Sequence, residues 1–104
     1  MTTAPGGQGA PRDLIDAALA DAHRRTGVAT TAMTIVSAER VTWSDGALGC
    51  PQPGLAYTQA LQAGYRIVLR VPGGLLHYHA GLRGAPFLCP ADRAVQPQPS
   101  DVRR

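Results

Sequence analysis

The sequence predicts an α+β domain in which one N-terminal helix packs on an antiparallel sheet of about four strands. Three patterns support this prediction. Residues 11–25 repeat apolar side chains at i, i+4 spacing, which is typical of an amphipathic helix. Residues 64–71 alternate apolar and polar side chains, which is typical of a half-buried strand. Residues 72–74, Pro-Gly-Gly, then mark a hairpin turn.

The predicted helix carries a row formed by Leu14, Ala18 and Ala22. Acidic residues lie near its start and arginines near its end, which complements the helix dipole. Gly27 is a suitable C-terminal stop because glycine accepts a left-handed conformation.

Strands are predicted at 28–37, 41–43, 64–71, 75–80 and 85–89 from β-branched content and alternation. Residues 37–40 are interpreted as a bulge or a tight turn between the first two. The secondary structure of residues 55–63 is left open, because so short a window fits either two helical turns or an extended segment.

Length and composition predict one folded domain at 11–90 with disordered tails at 1–10 and 91–104, because both tails are rich in small, polar or proline residues. Hydrophobic residues make up 44% of the chain, with one Phe, one Trp and three Tyr, so the core is mainly aliphatic. A core of this size leaves no room for a deep cofactor cavity, and no cofactor is predicted.

The formal charge is +3, and the ten basic residues are all arginines scattered along the chain. Nucleic-acid binding is disfavoured because such proteins cluster their basic residues among aromatic ones. No apolar run reaches the length of a membrane span, so a soluble, cytoplasmic protein without membrane association is expected. In that compartment, both cysteines are expected to be free thiols.

Residues 41–61 form the most unusual stretch, with the single Trp and closely spaced glycines and prolines. Two prolines one residue apart exclude a regular helix or central strand, so a stiff loop is predicted at 44–59. Rigid loops often carry function. The predicted function is therefore a small binding or interaction module for a protein or small molecule, and its candidate contacts are Trp43, Asp45, Cys50, Tyr57 and Gln59. Tyr57 and Gln59 are expected to be exposed.

Trp43 also has a structural interpretation. An indole beside a Gly/Pro loop commonly covers a small core. We expect Trp43 to be buried against the face of the central strand that carries Tyr65, Ile67 and Leu69.

The same region resembles a known family. The residues that carry the resemblance are Trp43-x-Asp45-Gly46-x-Leu48-Gly49-Cys50-Pro51-x-Pro53-Gly54-x-x-Tyr57-x-Gln59, Gly64-Tyr65-Arg66-Ile67 and Tyr78-His79. Between residues 41 and 89 the chain is similar to a family of small uncharacterised bacterial proteins with this signature. The resemblance groups the protein but implies no activity, cofactor or catalytic residue.

Four residues suggest metal binding as an alternative function. His77 and His79 lie on one face of a predicted strand, and with Cys50 and Cys89 they make a set suited to tetrahedral zinc. The spacing matches no known zinc module. The competing interpretation is that both histidines lie on the solvated face of an edge hairpin.

Two further roles are open to the cysteines. A Cys50–Cys89 disulfide would tie the loop to the last strand and stabilise a small core. Alternatively, Cys50 would act as a nucleophile with a histidine base oriented by Asp45. Because the signatures of cysteine hydrolases are absent, an enzyme is not favoured.

Overall fold

The structure, a computed structural model, describes residues 9–99 of the chain. The helix α1 spans Arg12–Thr26 and has basic residues in its last turn. It ends at Gly27, whose φ of 75° is left-handed and whose N–H donates to the carbonyl of His23. The predicted helix, its position and its glycine stop are confirmed. Within the described residues, no helix has the length and apolar character that crossing a bilayer requires.

Four antiparallel strands follow the helix in one sheet, in the order β1-β2-β3-β4. They are β1 (Thr34–Trp43), β2 (Gln62–Val71), β3 (Gly74–Gly81) and β4 (Phe87–Cys89). Each strand pairs with the next one along the chain. The predicted α+β class is confirmed.

The first strand differs from its prediction. Residues 30–32 form a 3-10 turn, and β1 then runs without interruption where a turn was considered at 37–40. The irregularity is a bulge, seen as a register shift between Ile35 and Ser37. Residues 37–43 stay extended because each of them pairs with β2, and this tertiary pairing outweighs the weak local preference.

The segment left open at 55–63 is not helical. It stays irregular through Leu61, and β2 begins at Gln62. The carbonyl of Thr58 accepts a hydrogen bond from Gly46 N–H at 2.9 Å, which holds the segment against the beginning of the loop. This cross-loop contact replaces helical hydrogen bonds.

The two faces of the sheet are covered by different parts of the chain. The helix face carries Ile67, Leu69 and Tyr78, which form a buried cluster with Ala18 and Ala22 of α1. The opposite face, which we call the loop face, carries Gly64 and His79 together with Trp43, His77 and Cys89, as the strand register shows. Tyr78 and His79 therefore lie on opposite faces of the sheet.

A polar contact joins α1 to the sheet. The Tyr78 hydroxyl donates to the Asp21 carboxylate at 2.7 Å, and Arg25 pairs with the same carboxylate. Burial alone would raise the pKa of Asp21, but the hydrogen bonds from Tyr78 and Arg25 outweigh it and lower that pKa. Burial and the Asp21 contact raise the pKa of Tyr78, so its hydroxyl remains a donor.

The predicted tails fall partly outside the described residues, which exclude 1–8 and 100–104. Near the N-terminus, Ala10 N–H donates to the carbonyl of Ala38 and covers part of the free edge of β1. Residues 90–99, which we call the C-terminal strap, return across the loop face, as described below.

Candidate functional site

A disulfide joins the loop to the last strand. Cys50 and Cys89 are bonded, with their Cα atoms 5.8 Å apart, and both are buried. The expectation of free thiols is wrong, and the disulfide alternative is confirmed. The short separation arises because β4 pairs beside His77 and His79 while the chain after Trp43 folds back over the same face.

The disulfide overturns the two thiol-dependent alternatives. His77 and His79 share the loop face as predicted. However, each sulfur is bonded to the other, so neither is available as a zinc thiolate. Within residues 9–99, no group of three or more His, Cys, Asp or Glu side chains is placed to hold a metal. Thiol catalysis by Cys50, with Asp45 as an orienter, fails for the same reason, because the nucleophile must be a free thiolate.

Trp43 is completely buried, as predicted, but on the other face of the sheet. It pairs with Gln62 in register, which places its side chain with Gly64 and His79 and opposite to Ile67. The indole stacks on the His79 ring at a centroid distance of 4.4 Å. Its Nε1–H donates to the carbonyl of Ala80 at 3.1 Å. The predicted contact with the Tyr65, Ile67 and Leu69 face is therefore wrong.

Two glycines make room for this indole. A Cβ added at Gly49 would overlap the six-membered ring of Trp43. A Cβ added at Gly64 would overlap the carbonyl oxygen of Ala80 and press on the indole. Gly49 also has a left-handed φ of 76°, so both space and backbone conformation require glycine there.

His79 fixes the loop above the indole. Its ring is buried, and its Nδ1 lies 2.8 Å from the carbonyl oxygen of Leu48. Because a carbonyl only accepts, Nδ1 carries the proton. Leu48 has a φ of 54°, an uncommon left-handed value for a residue with a side chain, and the contact with His79 helps to hold it. Burial lowers the pKa of His79. The hydrogen bond to Leu48 opposes this shift and the positive field of Arg66 adds to it, so the pKa is lowered overall and the ring is neutral near pH 7.

The neutral His79 predicts acid sensitivity. The pKa of His79 in the folded protein lies below its ordinary value of 6.5, so the unfolded chain binds the proton more readily. Stability is therefore fully present above about pH 6.5 and is lost as the pH falls, with a slope of at most about 1.4 kcal/mol per pH unit for one proton. Urea melts between pH 7.5 and 5 should show this loss.

His79→Gln, which keeps a donor toward Leu48, should make those melts less dependent on pH. Leu61→Ala is the control, since Leu61 is 64% exposed and has no titratable side chain, so this change should leave the pH dependence unchanged. An unchanged slope in the His79 variant would contradict the assignment.

The other predicted contact residues shape the loop itself. The Asp45 carboxylate accepts from Ala47 N–H at 2.9 Å, which forms the turn after β1. The Tyr57 hydroxyl accepts from Gln52 N–H at 3.0 Å. Gln59 is exposed, whereas Tyr57 is only partly exposed. Trp43 and Cys50 lie below the surface, so they support the loop from beneath.

The C-terminal strap crosses this loop. Val95 N–H donates to the carbonyl of Gly49, and Gln98 N–H donates to the carbonyl of Thr42, both at 2.8 Å. The Gln98 side chain also donates to the Ser44 hydroxyl. These contacts could not be predicted from the sequence, because a proline-rich composition is typical of a solvated segment whether or not the segment packs on the domain.

A cleft of about 400 Å³ opens between the loop and the strap. Its lining is Pro51, Gln52, Pro53, Asp92, Arg93, Ala94 and Val95. The side chain of Arg93 also reaches the disulfide, with Nη2 3.8 Å from the sulfur of Cys50. Its Nε is buried and, among the described residues, has no hydrogen-bond partner. Sequence reasoning missed this cleft because one wall is the strap.

Comparison with known proteins identifies one family. The family model described as "Domain of unknown function (DUF8738)" matches residues 15–89. This range includes most of α1, the whole sheet, the loop and both cysteines, and it ends before the strap. No curated protein and no solved structure matches the chain. Since the match covers well over half of the sequence, the chain belongs to the DUF8738 family.

Proposed function

We propose that this domain is a binding module whose recognition surface is the cleft between the 44–59 loop and the C-terminal strap. The observation that carries the proposal is the cleft itself, which has a volume within the range of about 300 to 1,000 Å³ found for ligand pockets. Its mainly apolar walls and few polar groups match the usual composition of such pockets.

Both walls are held in place before any ligand arrives. Pro51 and Pro53 fix two backbone angles of the first wall, and Tyr57 supports it through the hydrogen bond from Gln52 N–H. The disulfide and the contact from Val95 N–H to Gly49 tie the two walls together. A preorganised cleft loses little entropy on binding, which favours a recognition role.

A substitution that fills the cleft provides the test. Ala94 lines the cleft, so Ala94→Leu should block it. Ala91 lies in the same turn, is exposed and does not line the cleft, so Ala91→Leu is the matched control. A library of uncharged and monocarboxylate fragments is titrated onto ¹⁵N-labelled protein. In the parent and in Ala91→Leu, fragment binding should shift the amide signals of Gln52 and of residues 92–95. In Ala94→Leu, the same fragments should bind at least about tenfold more weakly.

The same spectra serve as the control for folding, since dispersed amide signals in both variants show an intact domain. Fragment-induced shifts that cluster on another surface, or that persist unchanged in Ala94→Leu, would contradict the proposal.

The disulfide also bears on the compartment. Disulfides persist in oxidising surroundings and are rare in the cytosol. The pairing of Cys50 and Cys89 therefore supports an oxidising environment over the cytoplasmic location expected from the sequence. Trapping thiols with an alkylating reagent in intact cells, followed by mass spectrometry of the protein, tests this: unmodified cysteines are expected, and double alkylation would argue for the cytoplasm.

A further inference from the structure

We propose that the cleft receives the C-terminal end of a peptide chain, with its terminal carboxylate paired to Arg93. This inference rests on the proposed binding function and names the ligand class for the same cleft. It depends on the incompletely paired guanidinium of Arg93, on the carboxylate of Asp92 in the same cleft and on the polar groups beside them.

Arg93 is a partly buried cation that forms no salt bridge among the described residues. Two arginines in residues 9–99 are partly buried, Arg66 and Arg93, and the others described there are exposed. Arg66 pairs with Glu39 at 3.7 Å, whereas Arg93 pairs with no carboxylate of the described chain. Its Nε has no acceptor there, and Nη2 reaches only a weakly accepting sulfur. Buried polar groups are normally hydrogen-bonded, so the unsatisfied Nε marks a guanidinium that the described chain leaves incompletely paired, which favours an acceptor supplied by a ligand.

The character of the cleft selects the kind of acceptor. A guanidinium binds carboxylates and phosphates through paired N–H donors. Asp92 lines the same cleft, so the positive charge of Arg93 stands beside a negative one. This balance disfavours phosphates and nucleic acids, which carry several negative charges, and favours a single carboxylate.

The remaining groups favour a peptide over a simple acid. Pro51, Pro53 and Val95 provide apolar walls for a terminal side chain. Gln52 contributes an exposed side-chain amide, and Asp92 contributes a carboxylate that accepts from N–H groups. Peptide units present both donors and acceptors, whereas a fatty acid presents neither beyond its carboxylate.

The decisive comparison uses two peptides that differ in one group. An N-acetylated tetrapeptide ending in leucine is titrated with a free carboxylate and with a C-terminal amide. On the parent, the acid should bind at least about tenfold more tightly than the amide. Arg93→Gln should remove this difference and leave the affinity for the amide unchanged. A third probe, 4-methylpentanoate, has the carboxylate and the apolar group without peptide units and should bind at least about tenfold more weakly than the acid peptide.

The outcomes separate the two proposals. Equal binding of acid and amide, blocked in both cases by Ala94→Leu, would overturn the carboxylate assignment and leave the cleft as a binding site. Binding of 4-methylpentanoate as tight as that of the acid peptide would overturn the peptide assignment. If no peptide and no fragment binds in the cleft, the proposed function itself is overturned.

Thermal stability provides a second measurement. Arg93→Met keeps the apolar stem but removes the unpartnered Nε, so its Tm should equal or exceed that of the parent. A lower Tm together with weaker binding of both peptides would show that Arg93 holds the strap in place. That result would overturn its assignment to ligand binding.

Discussion

Trp43→Ala is expected to lower the free energy of unfolding by about 3 to 5 kcal/mol. The indole is fully buried, stacks on His79 and donates to the carbonyl of Ala80, so alanine leaves a cavity and an unpaired acceptor. Gly49 and Gly64 border the space and carry no side chain that could fill it. Since small domains are stable by only about 5 to 15 kcal/mol, this loss approaches global unfolding.

The measurement is a urea melt followed by far-ultraviolet circular dichroism, because the variant lacks the only tryptophan as a fluorescent probe. Leu61→Ala is the control, since Leu61 is 64% exposed and should cost less than about 0.5 kcal/mol. A Trp43→Ala variant as stable as the parent would show that the loop face contributes nothing to the core.

Removal of the disulfide is expected to cost about 4 kcal/mol. The cross-link spans a sequence separation of 39 residues, and the chain-entropy model gives this figure for a loop of that length. A Cys50→Ala/Cys89→Ala double variant and the parent under reducing conditions should lose similar amounts. Both should loosen where the strap meets the loop, because Cys89 directly precedes the strap.

Denaturant melts of both proteins with and without a dithiol reductant test this expectation. The double variant should not respond to reductant, which separates loss of the bond from other effects of the reagent. Hydrogen exchange should show faster exchange at Val95 and Gln98 in the double variant. Equal stability of oxidised and reduced parent would contradict a stabilising role for the bond.

Local patterns in the sequence were sufficient for much of the fold. The i, i+4 row of Leu14, Ala18 and Ala22 predicted α1, and alternation predicted β2. The Pro-Gly-Gly segment predicted the turn between β2 and β3, and alternation placed His77 and His79 correctly on one face of β3. These features depend on periodicity and turn chemistry within a few residues, which a single sequence displays directly.

The site was predicted only in part. The sequence singled out the loop, the burial of Trp43 and the disulfide as one of several states of the cysteines. It placed Trp43 on the wrong face because the register of β1 on β2 is set across residues 44–61, and one step of register reverses every side chain. It also left the helical or extended state of 55–63 open, which the contact between Gly46 and Thr58 decides.

By itself, the sequence determined the helix, the β2–β3 hairpin and the irregular backbone of the proline-rich loop, because each depends on neighbouring residues. Tertiary structure alone decided three other features: the bond between Cys50 and Cys89, the stack of Trp43 on His79, and the cleft that contains Arg93. Each brings together residues more than 30 positions apart, and their approach depends on strand register and on where the strap crosses the loop. Local preferences do not encode such distances, because the same short segment is compatible with many partners.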